Sequence, residues 1–171
     1  MKKLLILGAG GYGKTVADVA AQLGIYETIR FLDDGRTGPD ILGECDRYAE
    51  FLEDCTEVYP AFGNNTFRKL WLERLKAAGV PVPTLIHPRA YVSPRATVCA
   101  GSVVLPMAVV NTGVTVGEGC IINIGALIDH DSVIESWSHL APGAIVKAEN
   151  RIPAESKIES GTVIENRQYP L

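Results

Sequence analysis

Histidine, cysteine and basic charge are all in short supply in this chain. Lys and Arg number 16 against 20 Asp and Glu, and the resulting net charge of -4 argues against a general nucleic-acid or anionic-membrane binder. The four cysteines, Cys45, Cys55, Cys99 and Cys120, show no C-x-x-C spacing, so reduced thiols in a cytoplasmic protein are expected. No apolar run approaches the length of a membrane span. Met1-Lys2-Lys3 is followed by only four aliphatic residues before Gly8, too few for a signal-peptide core. Aliphatic residues, by contrast, are plentiful. A hydrophobic content of 47% over 171 residues can build the core of one large domain or two small ones.

The aliphatics are distributed with a strict period. From Val92 onward one returns at every sixth position, through Val98, Val104, Val110, Val116, Ile122, Ile128, Ile134, Leu140, Val146, Ile152 and Ile158 to Ile164. Small residues precede most of them by two places, among them Ala90, Ser102, Ala108, Cys120, Ser132 and Ala144, with Val114 and Asn150 the loosest fits. Six is neither the 3.6 of a helix nor the 2 of a lone strand. It predicts a solenoid of triangular coils, each six-residue side sending one branched aliphatic into an axial core that no single repeat could bury alone. Roughly four coils stacked about 4.8 Å apart are expected.

The N-terminal part follows another grammar. Lys3–Leu7 reads as a buried parallel strand, the glycine loop Gly8 to Gly13 follows, and Thr15–Leu23 has helical spacing closed by Gly24. Ile29–Leu32 and Val58–Phe62 are further strands, Tyr48–Cys55 a short helix or turn, and Thr66–Ala78 an amphipathic helix with Phe67, Leu70, Trp71 and Leu75 inward and Arg68 outward. Gly8, Gly10 and Gly13 have the G-x-G-x-x-G spacing, with Asp33 and Asp34 about 20 residues on, as in loops that hold phosphate on a helix N-terminus. The same glycines equally fit a turn that only permits tight strand-to-helix packing. The unit is half of a dinucleotide fold, a size suited to a mononucleotide portion such as UDP. A nicotinamide-dependent enzyme remains a weaker alternative. Val80-Pro81-Val82-Pro83 is a stiff connector, so the expected domains are 1–83, Rossmann-like, and 84–171, the solenoid.

The segments GAGGYGK, FLDD, AFGNNTFR, TLIHPRAYVSPRA and NIGALIDHDSVIESWSHLAPGA, in this order, resemble the bacterial nucleotide-sugar acetyltransferases of the sialic-acid O-acetyltransferase and bacillosamine N-acetyltransferase type. The resemblance covers about residues 1–148. It implies an α/β nucleotide-sugar domain followed by a left-handed parallel β-helix, a homotrimer, and acetyl-CoA in the groove between neighbouring prisms. Carried over by motif, the base falls on His130 with Asp131 as its acid. The acetyl-CoA contacts fall on His139, Gly143, Ala144 and Ala148, and the acceptor-sugar contacts on Gly10, Gly11, Tyr12, Gly13, Asp33, Asp34, Asn64, Asn65 and Asn123, with Arg68 toward the phosphates. No metal is implied.

The residues themselves bear on the prism half of this expectation. His130, two places past inward Ile128 and flanked by Asp129 and Asp131, should project at a corner, held in one tautomer as a base requires. A surface histidine salt-bridged on a solvated corner is the competing reading. His87 is expected to be structural. His130 and His139 are nine residues apart in an 18-residue coil and so lie on different faces of one prism, and a shared reaction would need a second chain. An apolar strip of Val109, Ile121, Ile124, Leu127 and Trp137 is the expected interface. Two features depart from the family. Tyr12 stands where many relatives have histidine. The chain ends at Leu171, short of the usual number of repeats, so that a short carrier groove capped by Glu165, Arg167 and Tyr169 is expected. A non-catalytic nucleotide-sugar-binding trimer and a sugar O-acetyltransferase both remain open.

Overall fold

In a computed structural model that describes residues 1–171, strand β1 (Lys2–Leu7) lies between two parallel neighbours, β2 (Tyr26–Leu32) and β3 (Thr56–Pro60). Its central place explains its composition: Leu4, Leu5, Ile6 and Leu7 are all buried, as a strand covered on both faces requires. β2 starts three residues earlier than its apolar run indicated, because an edge strand leaves half its side chains in water and its pattern breaks up. Helix α1 (Gly11–Leu23) packs Val16, Val19 and Ala20 inward and stops at Gly24, whose left-handed φ of 67° turns its N–H back onto the Ala21 carbonyl. Cys45–Phe51 is a 3-10 helix.

Helix α2 (Asn65–Ala77) corrects the expected facing. Its buried stripe is Arg68, Trp71, Leu72 and Leu75, while Leu70 is 59% and Phe67 41% exposed. The buried set has ideal i, i+3, i+4, i+7 spacing, and the face was misjudged because its first member is an arginine. Arg68 is fully buried, its guanidinium donating to the Phe62 carbonyl at 3.0 Å and to Asn65 Oδ1 at 2.9 Å. No helix is long and apolar enough to cross a membrane.

The chain divides into two compact units, Met1–Pro83 and Thr84–Leu171. In the second, two-residue strands stack into three parallel sheets. The first face holds Leu85–Ile86, Val103–Val104, Ile121–Ile122, His139–Leu140 and Lys157–Ile158. The second holds Tyr91–Val92, Val109–Val110, Leu127–Ile128, Ile145–Val146 and Val163–Ile164. The third holds Thr97–Val98, Thr115–Val116, Val133–Ile134 and Arg151–Ile152. Partners are 18 residues apart throughout, as in Ile121 with His139, and this left-handed parallel β-helix begins one side earlier than the aliphatic series from Val92 indicated. Its axial core runs from Val104 to Ile164, with Ile86 and Val92 packed at its start. Each fully buried Ile or Val of the column contributes about 1.5–3 kcal/mol.

The small residues two places before each aliphatic also face inward. Ala108, Cys120, Ala126 and Ala144 are completely buried, and Ser102, Ser132 and Ser138 each donate to a carbonyl of the coil above, those of Gly117, Lys147 and Pro153. Asn150 is the elaborate member of this set. Fully buried, it donates from Nδ2 to the carbonyls of Lys147 (2.8 Å) and Glu165 (2.9 Å) and accepts the Tyr169 N–H at Oδ1 (2.9 Å), so one side chain fastens the segment that lies on the last coil. From residue 101 on, every corner turns through a left-handed residue three places past the inward aliphatic. Six of these are glycines (101, 113, 119, 125, 143 and 161), and the others, Met107, Asp131, Trp137, Glu149, Glu155 and Arg167, accept φ of 55–62°.

Candidate functional site

In the first unit the glycine loop separates into two kinds of glycine. Gly8 has φ of 97° and leaves room for Ala61 and Phe62 beyond β3, while a Cβ on Gly13 would overlap the Gly8 carbonyl oxygen, so Gly13 lets α1 approach β1. Gly10 and Gly11 have nothing within 4 Å of a Cβ position and face open space at the N-terminus of α1. Only this second pair leaves room for a phosphate to meet backbone N–H groups. Tyr12 turns away from that space, its hydroxyl 3.0 Å from that of buried Tyr59, and burial pushes its phenol well above the ordinary range.

The two acids after β2 work first on their own chain. Asp33 accepts the N–H groups of Ala9 at 2.7 Å, Gly35 at 3.0 Å and Arg36 at 2.8 Å. Partial burial works against its charge, but these donors together hold its carboxyl below the usual value, and the Ala9 bond ties it to the glycine loop. Asp34 accepts the Cys45 N–H at 2.7 Å. Cys45 itself is pushed up to about 12 by burial and by the neighbouring Asp34 charge, an unreactive thiol, and all four cysteines are free.

Asn64 caps α2 through Oδ1, which accepts the Phe67 N–H at 2.8 Å, and Asn65 holds Arg68. Arg68, buried and spent on its own loop, cannot reach a phosphate, and that expectation is corrected: it shapes residues 62–65 instead. The cations the sequence reading missed are Lys14 and Arg36. With Ala9, Phe31 and residues 37–41 they line a cleft of about 340 Å³ beside the glycine loop. Lys14 closes the GAGGYGK segment directly after Gly13, a position that could have marked it, whereas Arg36 is a single charge in a loop with no motif to single it out.

In the second unit His130 stands on the vertex between the second and third faces, in the corner following Leu127–Ile128. Its Nδ1 is 2.9 Å from Asp131 Oδ2. A carboxylate can only accept, so Nδ1 carries the proton, and in the neutral imidazole Nε2 carries the lone pair. The His130 amide donates to Asp129 Oδ1 at 2.8 Å, which also accepts Asn111 Nδ2 from the coil below at 3.0 Å. The Asp131 hydrogen bond raises the His130 pKa, burial opposes it, and the charges of Asp129, Asp131 and Glu149 add to the rise. Glu149, on the coil above, is paired with Arg167.

His139 lies on the first face, opposite that vertex, so the two histidines do not meet within one prism. Its partner is Asn123: Oδ1 of Asn123 accepts the Ile124 N–H at 2.8 Å, which leaves Nδ2 to face His139 Nε2 at 3.0 Å. Gly143 is exposed at a left-handed corner. Ala144 fills an inward slot at 0% exposure and Ala148 is 2% exposed, so their methyl groups are enclosed in the coil. His87 is buried and takes the Arg89 N–H on Nδ1, and burial, with the Arg89 charge, lowers its pKa.

The expected apolar strip is also redrawn. Ile121 is completely buried and Trp137 belongs to the corner between the third and first faces, whereas the outward residues of the second face are Tyr91, Val109, Leu127, Ile145 and Val163, with Leu127 39% exposed. In each two-residue strand the first residue points away from the axis, and the sheet to which it belongs decides which of them align; Ile121 is such a residue on the first face, where Leu85 and Val103 are likewise fully buried.

Residues 3–75 match the PglD N-terminal domain family. Among solved structures, the chain is similar to the acetyltransferase domain of PglB from Neisseria gonorrhoeae, at 38% identity and a TM-score of 0.94, over 98% of this chain and 84% of that one. The same PglB domain in complex with acetyl coenzyme A matches at 39% identity and a TM-score of 0.92, over 97% and 83%. A mutant perosamine N-acetyltransferase from Caulobacter crescentus, in complex with CoA and GDP-perosamine, shares the fold at 21% identity and a TM-score of 0.76, over 98% and 92%.

Proposed function

The chain belongs to the PglB/PglD-type sugar N-acetyltransferases of the hexapeptide-repeat family, and from that premise we propose that it transfers acetyl from acetyl-CoA to the amine of a nucleotide-linked sugar, with His130 as general base. The observation that carries the reading is the His130–Asp131 pair, an imidazole with its Nδ1 held on a carboxylate and its side chain 45% exposed at a vertex. In the reaction Nε2 takes a proton from the amine as the nitrogen attacks the thioester carbonyl, the tetrahedral intermediate collapses with cleavage of the C–S bond, and the proton held on Nε2 passes to the leaving sulfur, so that CoA departs as its thiol and His130 returns to neutral. The nucleotide, UDP in the first instance, lies over Gly10 and Gly11 with Lys14 and Arg36 beside the diphosphate.

The vertex is convex, and a groove there needs a second surface. A homotrimer joined through the Tyr91, Val109 and Leu127 face supplies one and brings His139 of a second copy toward His130. The test is thiol release from acetyl-CoA with a panel of UDP-, dTDP- and GDP-linked amino sugars. Release that depends on acceptor and is lost in His130→Ala supports the proposal; an acceptor panel giving no release above the His130→Ala level removes it.

A further inference from the structure

Asp131 has a left-handed backbone with φ of 56°, and its carboxylate lies over the corresponding corner of the coil below. The residue there is Gly113, whose φ is 70°. A Cβ built on Gly113 would overlap Asp131 Oδ1 and lie 3.3 Å from its Cγ. Nearby glycines at equivalent corners do not share this: Gly125, Gly143 and Gly161 have nothing within 4 Å of that position. Gly113 therefore satisfies two requirements, the turn and the space, and only the first is common to the fold.

We propose that Gly113 is a positioning residue for the acetyl transfer, acting by leaving room beneath Asp131 so that its carboxylate stays on His130 Nδ1. The inference rests on His130 being the base. The other charged groups facing His130 are Asp129, fixed by Asn111, and Glu149, paired with Arg167, whereas the three atoms nearest a Cβ on Gly113 all belong to Asp131. A methyl at 113 strikes the mobile end of Asp131 first, so the side chain swings off the imidazole while the backbone stays in place.

The test combines an NMR titration of the three histidines with kcat/KM across pH, on the full chain. Gly113→Ala is compared with Gly161→Ala, which carries the same left-handed strain without the overlap. Gly113→Asn, better suited to that backbone, replaces the alanine variant if it does not fold. The expected result is that His130 titrates at lower pH in Gly113→Ala, kcat/KM falls about tenfold, a part of the roughly hundred- to ten-thousand-fold a positioned base supplies, and KM for acetyl-CoA holds. In an Asp131→Ala background the same substitution should leave the titration unmoved. An unchanged His130 titration in a folded 113 variant, or an equal shift in Gly161→Ala, overturns the inference. So does a titration shift with no loss of activity; if His130→Ala is then also fully active, it is the proposed function that has failed and the geometry around Asp131 survives.

Discussion

Substituting the loop glycines one at a time should divide them into packing and ligand residues. At Gly13 a methyl would overlap the Gly8 carbonyl oxygen and sit 2.9 Å from its carbon, both backbone atoms at the end of β1. Relief requires α1 to move off the sheet on which Val16, Val19 and Ala20 are buried. Overpacking against backbone, with part of that burial lost, puts the cost of Gly13→Ala at about 3 kcal/mol or more, a large share of the roughly 5–15 kcal/mol that holds a domain. Gly11 is the first residue of α1 and has open space at its Cβ, so Gly11→Ala should leave stability unchanged or raise it by about 0.5 kcal/mol. Its methyl nevertheless enters the space assigned to phosphate, and a loss of about 1.4 kcal/mol there is tenfold in Kd. Urea unfolding and calorimetric titration with a UDP-sugar read the two effects separately. Nucleotide affinity in Gly11→Ala equal to that of the parent would refute the assignment, and Gly13→Ala with parental stability would refute the packing argument.

A base acts only when neutral, and the His130 pKa is raised, so kcat/KM should climb with pH through a limb above the ordinary histidine value; Glu149→Gln should move that limb down and Arg167→Ala, which exposes the Glu149 charge, should move it up. Asn150→Ala should cost about 2–3 kcal/mol in urea unfolding, since it removes three good bonds from buried backbone groups, and Asn150→Ser should recover part of this by donating to the coil above as Ser132 does; serine no better than alanine would contradict the fastening role. Leu127→Arg on the second face should reduce the sedimenting mass from three times 18.4 kDa toward the single chain, and a mass unaffected by the change would move the interface elsewhere. Reassembled mixtures of inactive His130→Ala and His139→Ala chains should regain part of the activity; verified mixed trimers without any recovery would exclude a groove shared between copies.

The order of the fold was legible because its signals are local and repeated. The six-residue aliphatic series fixes which residue of each side points to the axis, and fourteen strands of the same kind repeat that answer, with the glycine-bounded strand and helix of the first unit nearly as plain. Half of the left-handed corners are marked in the sequence by glycines three places past the inward aliphatic; the other half, Asp131 and Glu149 among them, carry that conformation without any compositional mark. What the linear pattern could not supply is which residues from different coils meet. Contact between residues 18 apart put Gly113 under Asp131 and Asn111 beside Asp129, and only the folded coil decided that Ala144 and Ala148 are enclosed and that Ile121, on the first face, is buried. Arg68 makes the same point in the first unit. Periodicity scores a charged side chain as solvent-facing, whereas its burial follows from carbonyl and amide oxygens that only the folded loop brings to it.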